Sequence, residues 1–308
     1  MLTFQPLELK HIPLVRPYLT PNPQRLCDLT VGGIFIWRDF FGNEVAVAAD
    51  CLIISMHIFG KHKAYTVPLG ERRQEALGQL EEHCKQIGEP LVFCIVGDMD
   101  LAFLSSFYPG FHAIAERDYF DYLYEAQDLL TLKGGKHRPT RGNINQFLRD
   151  TPNWRFEKIT DDNIEAVCEF AYRIEGDNPS DSKTLAAEAV KIREVLDHMD
   201  EYNMFGGVLF VGDLVAGFSL GEVEGDTLYI HVEKADTSYR GVYQVLVLEF
   251  MKMFGDNPKI AFVNREDDNG DLGLRQSKMT YGPIALISKY TFYTDKTRPE
   301  WMERCYIH

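Results

Sequence analysis

Apolar and polar positions alternate along the chain with periods that predict a mixture of helices and strands. The clearest helix is Glu71 to Ile87, where apolar residues recur at three- and four-residue steps among charged ones. Gly88 follows it in the place where a C-terminal cap glycine is expected. Leu91 to Val96 and Ile260 to Val263 are short, fully apolar runs, which predict buried strands. The pattern therefore predicts an α/β (α+β) protein.

The second half of the chain has the more regular order of elements. It begins with a strand pattern at Trp154 to Ile159, followed by two helical segments and by two strands joined at a Gly212-Asp213 turn. A third strand, Thr227 to Val232, precedes an apolar helix over Gly241 to Phe254 and the buried strand at 260–263. The first half follows a looser version of the same order, which indicates a duplication. We therefore expect two domains of similar architecture.

A basic segment lies between the two halves. Residues 132–142 read LKGGKHRPTRG and contain no acid. Ile144, Phe147 and Leu148 then share one helical face, and Pro152 ends the pattern. We expect a basic helical arm, 133–150, that closes an N-terminal domain of residues 1–150. A C-terminal domain would then cover residues 151–308.

This order of elements resembles that of the GNAT acyltransferases. In that fold the pyrophosphate of acyl-CoA lies at the N-terminus of the helix after the fourth strand, because free amide groups and the positive helix end bind anions. The corresponding segment here makes Arg240 and Gly241 phosphate-binding candidates. The segment lacks the second glycine of the usual fingerprint, and Tyr243 places a bulky side chain where the backbone should approach a phosphate. Ordinary acetyl-CoA chemistry is therefore disfavoured.

The composition limits the classes of function. The 308 residues are 45% apolar and 25% charged, close to an average globular protein. A formal net charge of −14 argues against a broad nucleic-acid surface, although the basic arm remains a local site for an anion. No run approaches the ~18 apolar residues of a membrane span, so no transmembrane segment is expected. The six dispersed cysteines are typical of core residues in a reducing cytoplasm.

The stretch from Asn264 to Pro283 has the highest density of candidate chemistry. It follows the predicted buried strand and carries four acids and two glycines before Arg275 and Lys278, which share a helical face. Those two cations could hold a phosphate, or they could pair with Asp268 or Asp271 and only stabilise the loop. The residues leave both readings open.

No metal site is expected in this stretch. Asp267-x-Asn269-x-Asp271 begins like a calcium loop, but the sixth position should be glycine and is Leu272. The twelfth position should be glutamate and is Lys278.

The same stretch resembles the DUF2156 family, which is similar to the C-terminal domain of bacterial phosphatidylglycerol lysyltransferases and, more distantly, to the Fem peptidyltransferases. The residues that carry the resemblance are Asn264, Arg265, Glu266, Asp268, Gly270, Gly273, Leu274, Arg275, Lys278, Tyr281 and Pro283. The arm matches through Gly135, Lys136, His137, Arg141, Ile144, Asn145 and Phe147. The resemblance covers nearly the whole chain and implies two tandem GNAT-like domains, each a mixed twisted sheet flanked by helices. It also implies that the active groove lies in or beside the second domain. The substrate- or phosphate-binding candidates within the two motifs are Asn264, Asp268, Arg275, Lys278, Lys136, His137 and Arg141.

Candidate catalytic residues lie on the strand that lines the groove in the GNAT fold. If Ile230 and Val232 face the core, alternation places Tyr229, His231 and Glu233 on the other face. His231 and Glu233 are then candidate bases, and Glu222 and Glu224 are similar candidates one strand earlier. Tyr281 could protonate a leaving group or could be a packed core tyrosine. Each of the strand residues could equally belong to an ordinary polar face.

The sequence thus predicts a cytoplasmic acyl or aminoacyl transferase. Its donor would be aminoacyl-tRNA or acyl-CoA, and its acceptor an amine or hydroxyl such as a lipid headgroup. The expected partner is anionic, as are CoA, the tRNA acceptor end and a lipid headgroup. The alternative is a non-catalytic protein that keeps the GNAT fold to bind a ligand or to regulate.

Overall fold

The computed structural model describes residues 1–58, 62–176 and 182–294. The described residues form two compact units, one of Met1–Phe120 together with residues 287–294, and one of Asp121–Leu286. Each unit contains one mixed sheet with helices.

The strands are short to medium in length and occur in both units. They are β1 (Gln5–Pro6), β2 (Glu44–Ala48), β3 (Cys51–Ile58), β4 (His62–Tyr65), β5 (Phe93–Val96), β6 (Phe111–Ala115), β7 (Asp121–Glu125), β8 (Trp154–Lys158), β9 (Phe205–Val211), β10 (Leu214–Glu224), β11 (Thr227–Ala235), β12 (Phe262–Asn264), β13 (Ala285–Ile287) and β14 (Tyr290–Thr294).

The helices flank these strands. They are α1 (Ile12–Leu19), α2 (Val31–Ile36), α3 (Arg38–Phe41), α4 (Arg73–Ile87), α5 (Asp98–Phe107), α6 (Ala126–Thr131), α7 (Arg138–Asp150), α8 (Ile164–Gly176), α9 (Ser182–Asp197), α10 (Met199–Tyr202), α11 (Val242–Phe250) and α12 (Leu272–Thr280). A π-helical turn, Met251–Gly255, continues α11.

The sheet of the first unit has the strand order β1-β2-β3-β4-β5-β14-β6. Helix α4 buries Ala76, Leu77 and Leu80 against this sheet, in one core with Ile53 and Phe93. The three- and four-residue spacing of the apolar residues in α4 therefore forms the packing face that the sequence predicts. Gly88 ends the helix in a left-handed conformation with φ of 72°, as expected for a cap glycine.

The sheet of the second unit has the order β13-β7-β12-β11-β10-β9-β8. From β7 to β8 in this order the neighbouring strands pair antiparallel, except for β11 and β12, which pair in parallel. One face packs on α11, where Leu228, Ile230 and Val263 share a core with Val247 and Phe250. This unit reproduces the predicted GNAT-like order from β8 to β12, and the hairpin turn at residues 212–213 lies where the sequence places it.

The division into units differs from the expected one at residue 150. Helix α7, the predicted arm, lies inside the second unit, and β7 before it pairs with β12 of the same sheet. The late strand β14 pairs with β5 and β6 in the first unit. Strand pairing between distant parts of the sequence therefore sets the boundaries of the two units. The expected domains, 1–150 and 151–308, were based only on the order of elements along the chain.

Two simpler predictions concern the cysteines and the membrane. Cys27, Cys51, Cys84, Cys94 and Cys168 are buried, as predicted for core residues, and these five form no disulfide, whereas Cys305 lies outside the described residues. In the described part of the chain, every helix is too short or too polar to cross a bilayer.

Candidate functional site

The candidate site lies where β11 and β12 stop pairing. The parallel register joins Tyr229 to Asn264 as its last pair, and β11 continues to Ala235 without β12 beside it. The chain leaves β12 with Arg265 and Glu266, whose side chains reach back to β11. Charged groups from both strands therefore meet at the end of the sheet pairing.

A β-bulge at His231 changes which face each side chain takes. Leu220 lies opposite Val232 and the next residue of β10 lies opposite Ile230, so His231 is an extra residue on β11. Tyr229 lies opposite Glu222, and Glu233 lies opposite Ser219. Residues directly opposite share a face, and positions 219 and 222 are on different faces of β10. The expectation that Glu233 shares a face with Tyr229 is therefore wrong, because the bulge interrupts the alternation.

The first network is centred on His231. Its Nε2 lies 2.9 Å from Oε1 of Glu222, and its Nδ1 lies 2.7 Å from Oε1 of Glu266. The His231 side chain is 1% exposed, and its ring is nearly parallel to that of Tyr229. Glu222 is buried, whereas 24% of the Glu266 side chain is exposed. The network therefore reaches solvent at Glu266.

The geometry favours a proton on each ring nitrogen of His231, because each nitrogen faces a carboxylate oxygen and an ionised carboxylate only accepts hydrogen bonds. Burial alone would lower the pKa of His231, but the hydrogen bonds that its ring donates to Glu222 and Glu266 outweigh burial and raise the pKa to about 10. The predicted role of His231 as a base is therefore disfavoured, because both of its ring nitrogens are already engaged with carboxylates.

The second network is centred on Arg265. Its Nε and Nη2 donate to Oε2 of Glu233 at 3.0 and 2.8 Å, and both side chains are largely buried. The guanidinium lies 4.5 Å from the ring centre of Tyr281, which packs edge-on against Tyr124. Glu233 is thus an ion-pair partner, which weakens its candidacy as a base. Tyr281 is a packed tyrosine, one of the two alternatives that the sequence leaves open.

Several polar atoms of this second network lack a partner. Among the described residues, Oε1 of Glu233, Nη1 of Arg265 and Oη of Tyr281 are buried and form no hydrogen bond. The hydroxyl of Ser219, opposite Glu233 in the sheet, has none either. Burial raises the pKa of Tyr281 to about 12, so its hydroxyl keeps its proton. Unsatisfied buried groups are uncommon, and here an acceptor and several donors lie in one network.

Asp268 and Arg275 form an internal ion pair. The carboxylate of Asp268 accepts from Nε and Nη2 of Arg275 at 3.0 and 2.7 Å, from Tyr122 at 2.5 Å and from the backbone of Gly270. Although burial opposes it, the hydrogen bonds of Arg275 and Tyr122 hold the pKa of Asp268 far below its usual range. Of the two readings of Arg275, pairing within the loop is the one that the geometry favours.

Lys278 and Asn264 also hold the backbone of this stretch. The ammonium of Lys278 is buried and donates to the carbonyls of Arg265 and Asp267. Asn264 is buried between the side chain of Asp121 and the backbone N–H of Glu266. Lys278 therefore binds the loop backbone, and of the two readings that the sequence leaves open this geometry favours the one in which the cation only stabilises the loop.

The turn before α11 is packed against α7. Gly241 has φ of 87°, and a Cβ there would overlap the backbone carbonyl of Asn143. Arg240 is exposed beside it. The position that receives the pyrophosphate in the GNAT resemblance is therefore covered on one side by the helix of the basic arm.

Several basic residues of the arm bind groups close to them in the sequence. Lys136 and His137 both contact Oδ2 of Asp128, at 2.6 and 3.0 Å, and His137 is buried. Arg141 donates to the backbone carbonyls of Leu132 and Gly134. These residues close the turn before α7, whereas Lys133 and Arg138 are exposed.

Two residues that organise the site were not singled out for a role by the sequence. Arg265 and Glu266 counted only as members of a motif and of an acidic loop, yet each contacts β11. Their position in the sequence was the available signal. Polar residues that directly follow a buried strand lie at the end of the sheet, where the sites of α/β proteins form.

Comparison with known proteins identifies the family. The model of the family described as phosphatidylglycerol lysyltransferase, C-terminal, matches residues 21–293. The chain belongs to this family. A curated relative, an uncharacterised protein of Mycoplasmoides gallisepticum, is 24% identical over 170 residues, which are 55% of this chain and 54% of that protein. The match thus spans about half the length of that relative.

Solved structures extend the family assignment to the fold. A conserved protein of unknown function from Bacteroides thetaiotaomicron is 27% identical, with a TM-score of 0.86 over 95% of this chain and 99% of that chain. L-PGS from Bacillus licheniformis is 13% identical, with a TM-score of 0.64 over 92% and 95%. A tandem GNAT protein from the clavulanic acid biosynthesis pathway is 10% identical, with a TM-score of 0.50 over 94% and 98%. This member of the phosphatidylglycerol lysyltransferase C-terminal family therefore has the tandem GNAT-like fold.

Proposed function

We propose that the protein transfers an aminoacyl group from an activated ester, such as aminoacyl-tRNA, to an amine or hydroxyl acceptor such as a lipid headgroup. Transfer takes place at the end of the β11–β12 pairing. An ester is already activated, so the protein has to position the reactants and stabilise the oxyanion that forms on the carbonyl.

The unpartnered atoms around Arg265 carry this proposal. Nη1 of Arg265 and the hydroxyl of Tyr281 are donors in a buried place, where a hydrogen bond to a developing oxyanion is strongest. Oε1 of Glu233 is an acceptor in the same network, and it suits an ammonium group. An aminoacyl ester carries a carbonyl next to an ammonium group, so its two polar groups complement this set.

The turn at Gly241 supports an ester donor over acyl-CoA. The carbonyl of Asn143 lies against Gly241, and a bulky Tyr243 replaces the second glycine of the fingerprint. Pyrophosphate binding needs open backbone amides at this turn. Helix α7 restricts access to them from one side.

A transfer assay tests the proposal. The purified protein is incubated with tRNA carrying radiolabelled lysine or alanine, and with either phosphatidylglycerol vesicles or a soluble primary amine. Label is expected to leave the tRNA and to appear in the acceptor at a rate that depends on protein concentration. Tyr281→Phe is expected to slow that rate by about 10²-fold, the loss typical of one oxyanion donor. A wild-type protein that leaves both aminoacyl-tRNAs intact with both acceptors would favour the non-catalytic ligand-binding alternative.

Acetyl-CoA provides the complementary test. Acetyl-CoA at millimolar concentration is expected to leave the melting temperature of the protein unchanged, because the turn at Gly241 is covered. A saturable rise of the melting temperature that is lost in an Arg240→Ala variant would indicate that the donor is acyl-CoA.

A further inference from the structure

The carboxylate of Glu266 is the open end of the His231 network. One oxygen, Oε1, accepts from Nδ1 of His231, and 24% of the side chain is exposed. Within the part of the chain that the structure describes, Oε2 forms no hydrogen bond to protein. Glu222, at the other end of the imidazole, is only 5% exposed. Glu266 alone among these three residues can therefore reach a bound molecule.

The backbone of Glu266 is held in a conformation that non-glycine residues seldom adopt. Its φ is 53°, in the left-handed region. Its N–H donates to Oδ1 of Asn264 at 2.7 Å, and its carbonyl accepts from the backbone N–H of Tyr122 at 3.1 Å. Backbone conformations of this kind persist when the surroundings fix them, and they concentrate at functional sites.

The imidazole of His231 supplies a second constraint. Its two nitrogens each face a carboxylate, so the ring is held in one orientation between Glu222 and Glu266. The nearby charged groups of α12 and the preceding loop are already engaged, with Lys278 on backbone carbonyls and Arg265 on Glu233. His231 therefore orients Glu266, and with both ring nitrogens engaged it is poorly placed to act as the base itself.

We infer that Glu266 is the proton acceptor of the transfer reaction and that His231 is its positioning residue. This inference rests on the proposed function. The acceptor amine or hydroxyl gives its proton to Oε2 of Glu266 as its nitrogen or oxygen forms a bond to the ester carbonyl carbon. The ester C–O bond then breaks, and the departing oxygen takes the proton from Glu266. The products are the acylated acceptor and the free hydroxyl of the donor, with no net gain or loss of protons.

The experiment measures transfer and the protonation of His231 separately. Glu266→Gln keeps the shape of the side chain and removes the basic oxygen, so kcat is expected to fall by about 10²-fold or more with little change in KM. Glu157→Gln, an exposed position on β8 paired with Arg155, is the matched control and is expected to stay within twofold of wild type. Melting temperatures of both variants establish that each is folded.

Protonation of His231 is read from the ¹⁵N signals of the imidazole rings, assigned by their loss in His231→Gln. In wild type at pH 7.5 both ring nitrogens of His231 are expected to carry protons. In Glu266→Gln, a shift of the Nδ1 signal is expected because the carboxylate partner is gone. A neutral ring in wild type would overturn the positioning role whatever the activity.

A failure of the role assigned to Glu266 can be distinguished from a failure of the proposed function. Normal turnover by a folded Glu266→Gln protein would overturn the role of Glu266 and leave the proposed function intact. A wild-type protein without transferase activity would overturn both the proposed function and the role of Glu266. The ¹⁵N signals of His231 would still decide whether its ring is protonated on both nitrogens.

Discussion

The His231 and Arg265 networks lie at the same end of the β11–β12 pairing and differ in how completely they are satisfied. His231 uses both ring nitrogens on carboxylates, and only Glu266 extends to solvent. Arg265 and Glu233 are joined through one carboxylate oxygen, and each keeps a buried atom without a partner. A satisfied network fixes geometry, whereas an unsatisfied one costs stability unless a ligand completes it. The contrast indicates a positioning role on one side and a binding role on the other.

The largest effect on stability is expected from removing the Arg265 cation. Arg265→Met leaves Glu233 buried and without its ion-pair partner, so the free energy of unfolding is expected to fall by about 3–5 kcal/mol. Urea denaturation followed by circular dichroism measures the change. Replacing both residues, as Glu233→Leu with Arg265→Met, should recover most of the loss, because an apolar pair of similar volume has no charge to desolvate. A double variant as unstable as the sum of the single variants would show that the pair is structurally indispensable.

The His231 network is expected to give a stability effect that depends on pH. The folded-state pKa of His231 is raised, so its stabilising contribution is complete below the ordinary histidine pKa of about 6.5 and is lost as pH rises through about 10. The destabilisation caused by His231→Gln should therefore be largest near pH 6 and should shrink by pH 10. Urea unfolding at pH 6, 8 and 10 measures it. His198→Gln, at an exposed histidine beside Glu201, is the control and should change little at any of these pH values.

The smallest stability effect, combined with a clear loss of function, is expected at Tyr281. Its hydroxyl has no partner among the described residues, so Tyr281→Phe should change the free energy of unfolding by less than about 0.5 kcal/mol or should stabilise the protein. Tyr124 provides the matched comparison, because its hydroxyl donates to the carbonyl of Lys278 at 2.9 Å. Tyr124→Phe should cost about 1 kcal/mol. Equal costs for the two variants would indicate that water or protein satisfies the hydroxyl of Tyr281.

The fold was predictable from the sequence wherever the signal is local. Helix α4, the β9–β10 hairpin and the order from β8 to β12 follow from periodicity and turn residues. The exchange of β7 and β14 between the two halves was not predictable, because pairings such as β7 with β12 join residues far apart in the sequence. The unit boundaries depend on those pairings.

The site was predictable in location and only partly in chemistry. The polar stretch after β12 and the strand bearing His231 were both recognised from their order in the chain. The bulge at His231 could not be read from the alternation of side chains, and it reverses the face of Glu233. The partners of Arg275 and Lys278 lie within the same stretch, so the sequence could not tell a phosphate site from a self-contained loop. Protonation of His231 depends on Glu266, which is 35 residues away.

The most direct test of the account is the single-turnover rate at which the protein moves a labelled aminoacyl group from tRNA to an acceptor, measured for wild type, Tyr281→Phe and Glu266→Gln under one set of conditions. We predict transfer by the wild type, with both variants slower by about 10²-fold and with melting temperatures close to wild type. Transfer at the wild-type rate by both folded variants would contradict the assignment of the reaction to the end of the β11–β12 pairing.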